Sequence, residues 1–135
     1  MERLEVQATK ENLLEVSAFV EGYLEKLDCP MKTMMQISVA VEEIYINIAS
    51  YAYGDSIGMA EILIDHDQAL NSVSITFKDS GVPYDPLAKE DPDITLSAEE
   101  RAVGGLGIFM VKKSMDDMKY KYEDGKNVLT IVKKL

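Results

Sequence analysis

Cysteine, histidine and tryptophan are nearly missing from this chain, with one Cys, one His and no Trp in 135 residues. A single cysteine excludes an internal disulfide, and one histidine beside it leaves no set of Cys and His ligands for zinc. Cys29 lies in Leu27-Asp28-Cys29-Pro30, where the proline disfavours helix at the residue before it, so a bend between two helices is expected there and the thiol is read as structural. Long apolar runs are lacking too. None approaches the roughly 20 residues needed to cross a bilayer, and the start, Met1-Glu2-Arg3-Leu4-Glu5, has neither the apolar core nor the small-residue cleavage site of a secretory signal. The expected location is cytoplasmic, away from membranes. Positive charge is also scarce, with 14 basic against 24 acidic residues and a formal net charge of -10. Basic residues do not cluster beyond Lys133-Lys134, so direct binding to nucleic acid or anionic lipid is not expected.

What is present suits one folded domain spanning residues 1–135. Apolar residues make up 47% and charged residues 28% of the chain, an ordinary globular balance. A chain of this length buries roughly two thirds of its unfolded surface without disulfides or metal. Leu4, Val6 and Ala8 alternate with polar residues as in a short strand, and Thr9 is placed to cap a helix. Leu13, Val16, Val20, Leu24 and Leu27 then form one apolar stripe at helical spacing. A second helix is predicted from about Lys32, with Met34, Ile37, Val41, Ile44 and Ile48 facing the core and Gln36, Ala40, Glu43, Asn47 and Tyr51 on the adjoining stripe.

Gly54 is placed as a left-handed stop for that helix. Two strands follow, marked by Ala60, Ile62 and Ile64 and by Val73, Ile75 and Phe77, with a turn across residues 67–71. Residues 80–103 hold three prolines and many acids but few regularly spaced apolar residues, which predicts a mobile loop. A helix is predicted to start near Ile108, then a strand through Met118, Tyr120 and Tyr122. An Asp124-Gly125 hairpin turn and a final strand marked by Val128, Thr130 and Val132 close the chain. Tyr120 and Tyr122 are read as sheet packing, and His66 falls in the turn region between strands.

Three segments carry chemistry. Glu43 and Asn47, four residues apart, share one helix face. Asp79-Ser80-Gly81 ends a strand, so the Asp79 carboxylate can accept a hydrogen bond from a base amino group while Gly81 lets the base pack closely. Gly104-Gly105-Leu106-Gly107 precedes a predicted helix, and backbone amides beside a helix N-terminus attract phosphate without net cationic charge. The spacing is neither a Walker loop, since no Gly-Lys-Ser/Thr follows, nor a dinucleotide fingerprint, since no strand precedes it.

In this order the segments resemble the Bergerat-fold ATPase family of gyrase, heat-shock chaperones and histidine kinases, and most closely its small anti-sigma-factor serine kinase branch. Ala40-Val41-Glu42-Glu43-Ile44-Tyr45-Ile46-Asn47 is similar to the family's N box. Asp79-Ser80-Gly81-Val82-Pro83-Tyr84-Asp85-Pro86 is similar to its first glycine box, and Gly104-Gly105-Leu106-Gly107-Ile108-Phe109-Met110-Val111 to its second. The resemblance spans residues 33–135. It implies an α+β fold, a two-layer α/β sandwich with helices on one face of a mixed sheet. It also implies ATP with Mg²⁺ as cofactors, Glu43 as catalytic base, Asn47 as the metal ligand, and Asp79 and Gly81 at adenine. Gly104, Gly105, Leu106 and Gly107 would lie at the phosphates, with the 80–103 loop as an ATP lid. The implied activity is phosphorylation of a small anti-anti-sigma (STAS-type) protein, with a sigma factor as second partner and room for a homodimer. Two departures stand out: Tyr84 replaces a more usual Phe, and Tyr51 stands where the branch often has His. The competing expectations are a nucleotide-gated binding module without phosphotransfer and an ATPase fragment whose partner supplies the sensor.

Overall fold

The computed structural model describes residues 1–87 and 105–135, and of Gly105 and Leu106 only the backbone. Five strands form one sheet in the order β1-β2-β3-β5-β4, and helices α1, α2 and α3 cover one face of it. The strands are β1 (Glu2–Gln7), β2 (Met59–Asp67), β3 (Ser72–Asp79), β4 (Asp117–Glu123) and β5 (Lys126–Lys134), and the helices are α1 (Leu13–Lys26), α2 (Met31–Tyr51) and α3 (Gly105–Ser114). This is the two-layer α+β sandwich that the sequence predicts. In one detail it differs, because every neighbouring pair is antiparallel and the sheet is not mixed. The connection from β3 through α3 does return β4 parallel to β3, but β5 folds back as a hairpin between the two. Parallel strands therefore exist without touching.

Alternation decides which face is buried. Ala60, Ile62 and Ile64 of β2 and Val73, Ile75 and Phe77 of β3 lie in the core with Val16, Val20 and Leu24 of α1. On β5 the sequence signal misleads. Val128, Thr130 and Val132 lie on the outer face, where the Thr130 and Thr76 hydroxyls bond at 3.0 Å, and the inner face is Asn127, Leu129 and Ile131. Both sets contain apolar residues, so only the register with β3, which places Asn127 opposite Asp79, resolves them.

Helix ends show similar local differences. Thr9 precedes a 3-10 turn, Lys10–Asn12, without making a side-chain cap bond. The Asn12 amide instead donates to the Gln7 carbonyl at 2.8 Å. Asp28, with φ 53°, and Pro30 separate α1 from α2 as expected. On α2 the buried stripe includes Ile37, Val41 and Ile44 but also Tyr45, which is 0% exposed. Its hydroxyl lies 3.1 Å from the Gln7 carbonyl and 2.7 Å from that of Thr9, tying α2 to the β1–α1 connection. Burial holds this phenol above its ordinary pKa, so it stays a donor. Helix α3 starts at Gly105 and not near Ile108, so two of the three glycines expected in a loop belong to its first turn. Gly54, at φ 60°, and the Asp124-Gly125 turn, at φ 54° and 75°, adopt the left-handed conformations the sequence predicts.

Candidate functional site

Between α2 and the β3–β5–β4 half of the sheet lies a cavity of about 540 Å³. Helix α2 lines it with Ile44, Asn47, Ile48, Tyr51 and the following Ala52, and the sheet with Phe77, Asp79, Tyr120, Asn127 and Leu129. Pro83, Tyr84 and Pro86 close one side and Ile108 of α3 another. The wall is mainly apolar with a few polar groups, which suits a flat heteroaromatic ring.

Asp79 is the buried carboxylate of this cavity, 6% exposed. Its Oδ1 accepts two hydrogen bonds at 2.9 Å, one from the Gly81 N–H and one from the Asn127 amide. Its Oδ2 has no partner among the described residues. A buried carboxylate oxygen left unpaired is costly, and Asp79 lines a space large enough for a ligand that donates to it. Gly81 is required by a close approach: a Cβ there would lie 2.1 Å from the Ala52 carbonyl oxygen. That carbonyl accepts the Val82 N–H at 2.9 Å, pinning the turn to the end of α2. The Tyr53 hydroxyl accepts the Ser80 N–H at 2.8 Å from the other side. Burial pushes the Tyr53 phenol up.

Glu43 and Asn47 both border the core, as the stripe predicts, and each is half-buried. Neither side chain has a hydrogen bond or ion pair among the described residues. Asn47 is on the cavity wall, whereas Glu43, one turn back, packs against α3. A Cβ at Gly107 would fall 1.9 Å from Glu43 Oε1, so a larger residue there would displace the carboxylate. The N–H groups of Gly105, Leu106 and Gly107 belong to the first turn of α3, whose leading N–H groups have no intrahelical acceptor. Gly104 and the lid expected through residue 103, from residue 88 on, lie outside the described residues. No cluster of three or more His, Cys, Asp or Glu able to hold a metal exists among the described residues. A metal at Asn47 would therefore rest on one protein oxygen plus phosphate and water, which suits magnesium better than zinc or calcium.

Sequence reasoning passes over two site residues. Asn127 reads as the start of a strand, with no spacing signal to mark it. Tyr120, read as sheet packing, lines the cavity and donates its hydroxyl to Asn127. Only the pairing of β5 with β3 and β4 reveals them.

The helix bearing the acid and the amide, the strand ending in buried Asp79 and the glycine-bearing start of α3 border one cavity. The chain belongs to the histidine kinase-like ATPase domain family, whose sequence profile matches residues 6–133. Its relatives are more particular. It is 27% identical over 138 residues to the serine-protein kinase RsbW of Bacillus cereus, covering 96% of this chain and 85% of that protein. To the serine-protein kinase RsbW of Listeria monocytogenes it is 24% identical over 115 residues, covering 82% and 72%. A crystal structure of the RsbU and RsbW domains of Rv1364c from Mycobacterium tuberculosis matches all of this chain with a TM-score of 0.65 at 14% identity. This chain spans 33% of that longer one, and the likeness is one of fold. No helix among the described residues is long and apolar enough to cross a membrane.

Proposed function

We propose that this chain is an ATP- and Mg²⁺-dependent protein serine kinase of the anti-sigma type. Its substrate would be a small anti-anti-sigma (STAS-type) protein, and it would act on transcription by switching between that partner and a sigma factor. One observation carries the reading: Asp79 and the Asn47 amide share a cavity, with the Glu43 carboxylate one helical turn beyond, and Asp79 Oδ2, Asn47 and Glu43 have no partner among the described residues. These are a base acceptor, a metal oxygen and a proton acceptor in the order a nucleotide triphosphate needs them.

Asp79 Oδ2 accepts from the adenine amino group, and Phe77, Ile48 and Leu129 enclose the ring. Asn47 offers its neutral amide oxygen to Mg²⁺. Magnesium held there would supply positive charge against the phosphates. The leading N–H groups of α3, those of residues 105–107, would face the phosphates and give an acidic chain local positive potential. Glu43 takes the proton of the partner's serine hydroxyl as that oxygen attacks the γ-phosphorus and the bond to the β-phosphate oxygen breaks. A Glu43→Gln substitution tests this. Loss of phosphotransfer to a serine of the partner with ATP affinity retained supports the role, and equal transfer by both proteins removes Glu43 from it.

One observation favours the nucleotide-gated binding module instead. The Glu43 carboxylate rests against Gly107 and not on the cavity wall. Under that reading ATP binding alters partner affinity while no phosphoserine forms, which mass spectrometry of the mixed proteins separates from the kinase reading.

A further inference from the structure

Asn127 is 7% exposed and uses every hydrogen-bonding capacity its amide has. Its Oδ1 accepts the Tyr84 N–H at 3.0 Å and the Tyr120 hydroxyl. Its Nδ2 donates to the Val82 carbonyl and to Asp79 Oδ1, each at 2.9 Å. The orientation of the amide is forced, because the Tyr84 N–H can only donate and the Val82 carbonyl can only accept. Burial pushes the Tyr120 phenol up, which keeps it protonated as a donor. Nδ2 must then face Asp79, so one Asp79 oxygen is saturated by Asn127 and Gly81 and the other is left for the cavity.

We propose that Asn127 is the positioning residue that sets purine selectivity, by engaging Asp79 Oδ1 and so holding Oδ2 toward the base. The inference rests on the nucleotide reading of the cavity. A purine with an exocyclic amino group satisfies that oxygen. A 6-oxo purine sets an acceptor against it and leaves two buried acceptors facing each other, the mismatch that gives the largest discrimination. Because Asn127 also holds Val82 and Tyr84, the carboxylate and the turn bounding the cavity are gripped by one amide.

The discriminating variant is Asn127→Asp. It keeps the acceptor for Tyr84 and Tyr120 but replaces the donor to Asp79 with a second carboxylate, which repels Asp79 in place of holding it. With Asp79 no longer held, its Oδ2 is not fixed against the base, and the contrast between an amino and a 6-oxo group shrinks. Calorimetric titration with the β,γ-imido analogues of adenosine and inosine triphosphate measures the ratio of affinities. In the wild type adenosine is preferred, and in Asn127→Asp the preference falls by about tenfold or more. Tyr120→Phe, which removes one hydroxyl and keeps the ring, lowers it by a few-fold and decides the matter if the first variant fails to fold. A folded Asn127→Asp protein with undiminished preference, or an unchanged ratio in Tyr120→Phe where only that variant folds, overturns the positioning role alone. A wild type that binds neither analogue overturns the nucleotide reading and this proposal with it.

Discussion

The two ends of the cavity are built differently. At the Asp79 end, Asp79, Asn127, Tyr120, Gly81, Val82 and Tyr84 are joined by hydrogen bonds of fixed direction, and Asp79 Oδ2, which would meet a ligand, has no partner among the described residues. At the Glu43 end, the acid and the amide are half-buried side chains with no partners among the described residues, beside the start of α3. A network of buried, mutually satisfied groups holds its geometry before any ligand arrives. Unpaired side chains on a helix face take theirs from what binds. On this reading the base end is preformed for recognition, and the phosphate end is completed by nucleotide and metal.

The two glycines show the same contrast. At Gly81 an added Cβ meets the carbonyl oxygen, carbonyl carbon and Cβ of Ala52, none of which can move without shifting the end of α2. At Gly107 it meets the carboxylate of Glu43, the far end of a flexible side chain. Substitution should therefore damage folding at one end and chemistry at the other.

The largest expected effect is that of Glu43→Gln, which lowers phosphotransfer by about 10²–10⁴-fold while ATP affinity, read by calorimetry, changes little. Next comes Gly107→Ala. It displaces the Glu43 carboxylate and lowers transfer by about 10²-fold, as a misplacement of about 1 Å does, with the melting temperature almost unchanged. A large fall in melting temperature would show that α3 is as rigidly seated as the base end and would break the comparison. Asp79→Asn should weaken ATP by about tenfold or more through loss of a hydrogen bond to a charged group. Affinity for inosine triphosphate should change far less, and equal losses for both nucleotides would contradict the assignment. Gly81→Ala should cost about 1–3 kcal/mol of stability by overpacking, measured by denaturant unfolding.

The smallest effect concerns pH. Burial holds the phenols of Tyr53 and Tyr120 at the base end above the ordinary value of 10.0. The unfolded chain gives up these protons first, so their contribution is complete below 10.0 and is lost as pH rises through the folded values. Tyr120→Phe should flatten the alkaline fall in stability, measured by unfolding at a series of pH values.

Much of this was legible before the fold was known, for reasons particular to each element. The stripes of α1 and α2 report burial because a helix on a sheet has one apolar face, and Glu43 and Asn47 could be placed at its border by counting. Asp79 was legible because Val73, Ile75 and Phe77 set the phase that buries it. Asn127 was not, because β5 carries apolar residues on both faces and its inward set is fixed only by pairing with β3. The start of α3 was misplaced because glycine is a poor helix former. Within the helix Gly107 lies against Glu43 of α2, a long-range contact that no local propensity contains.

The central claim is that the cavity between Asp79 and Asn47 takes ATP with magnesium. Calorimetric titration of the wild-type protein with the β,γ-imido analogue of ATP, with and without Mg²⁺, tests it most directly. The account predicts saturable one-to-one binding that strengthens when Mg²⁺ is added, with the magnesium-dependent gain lost in Asn47→Ala. No binding at millimolar analogue in the presence of Mg²⁺ would contradict it.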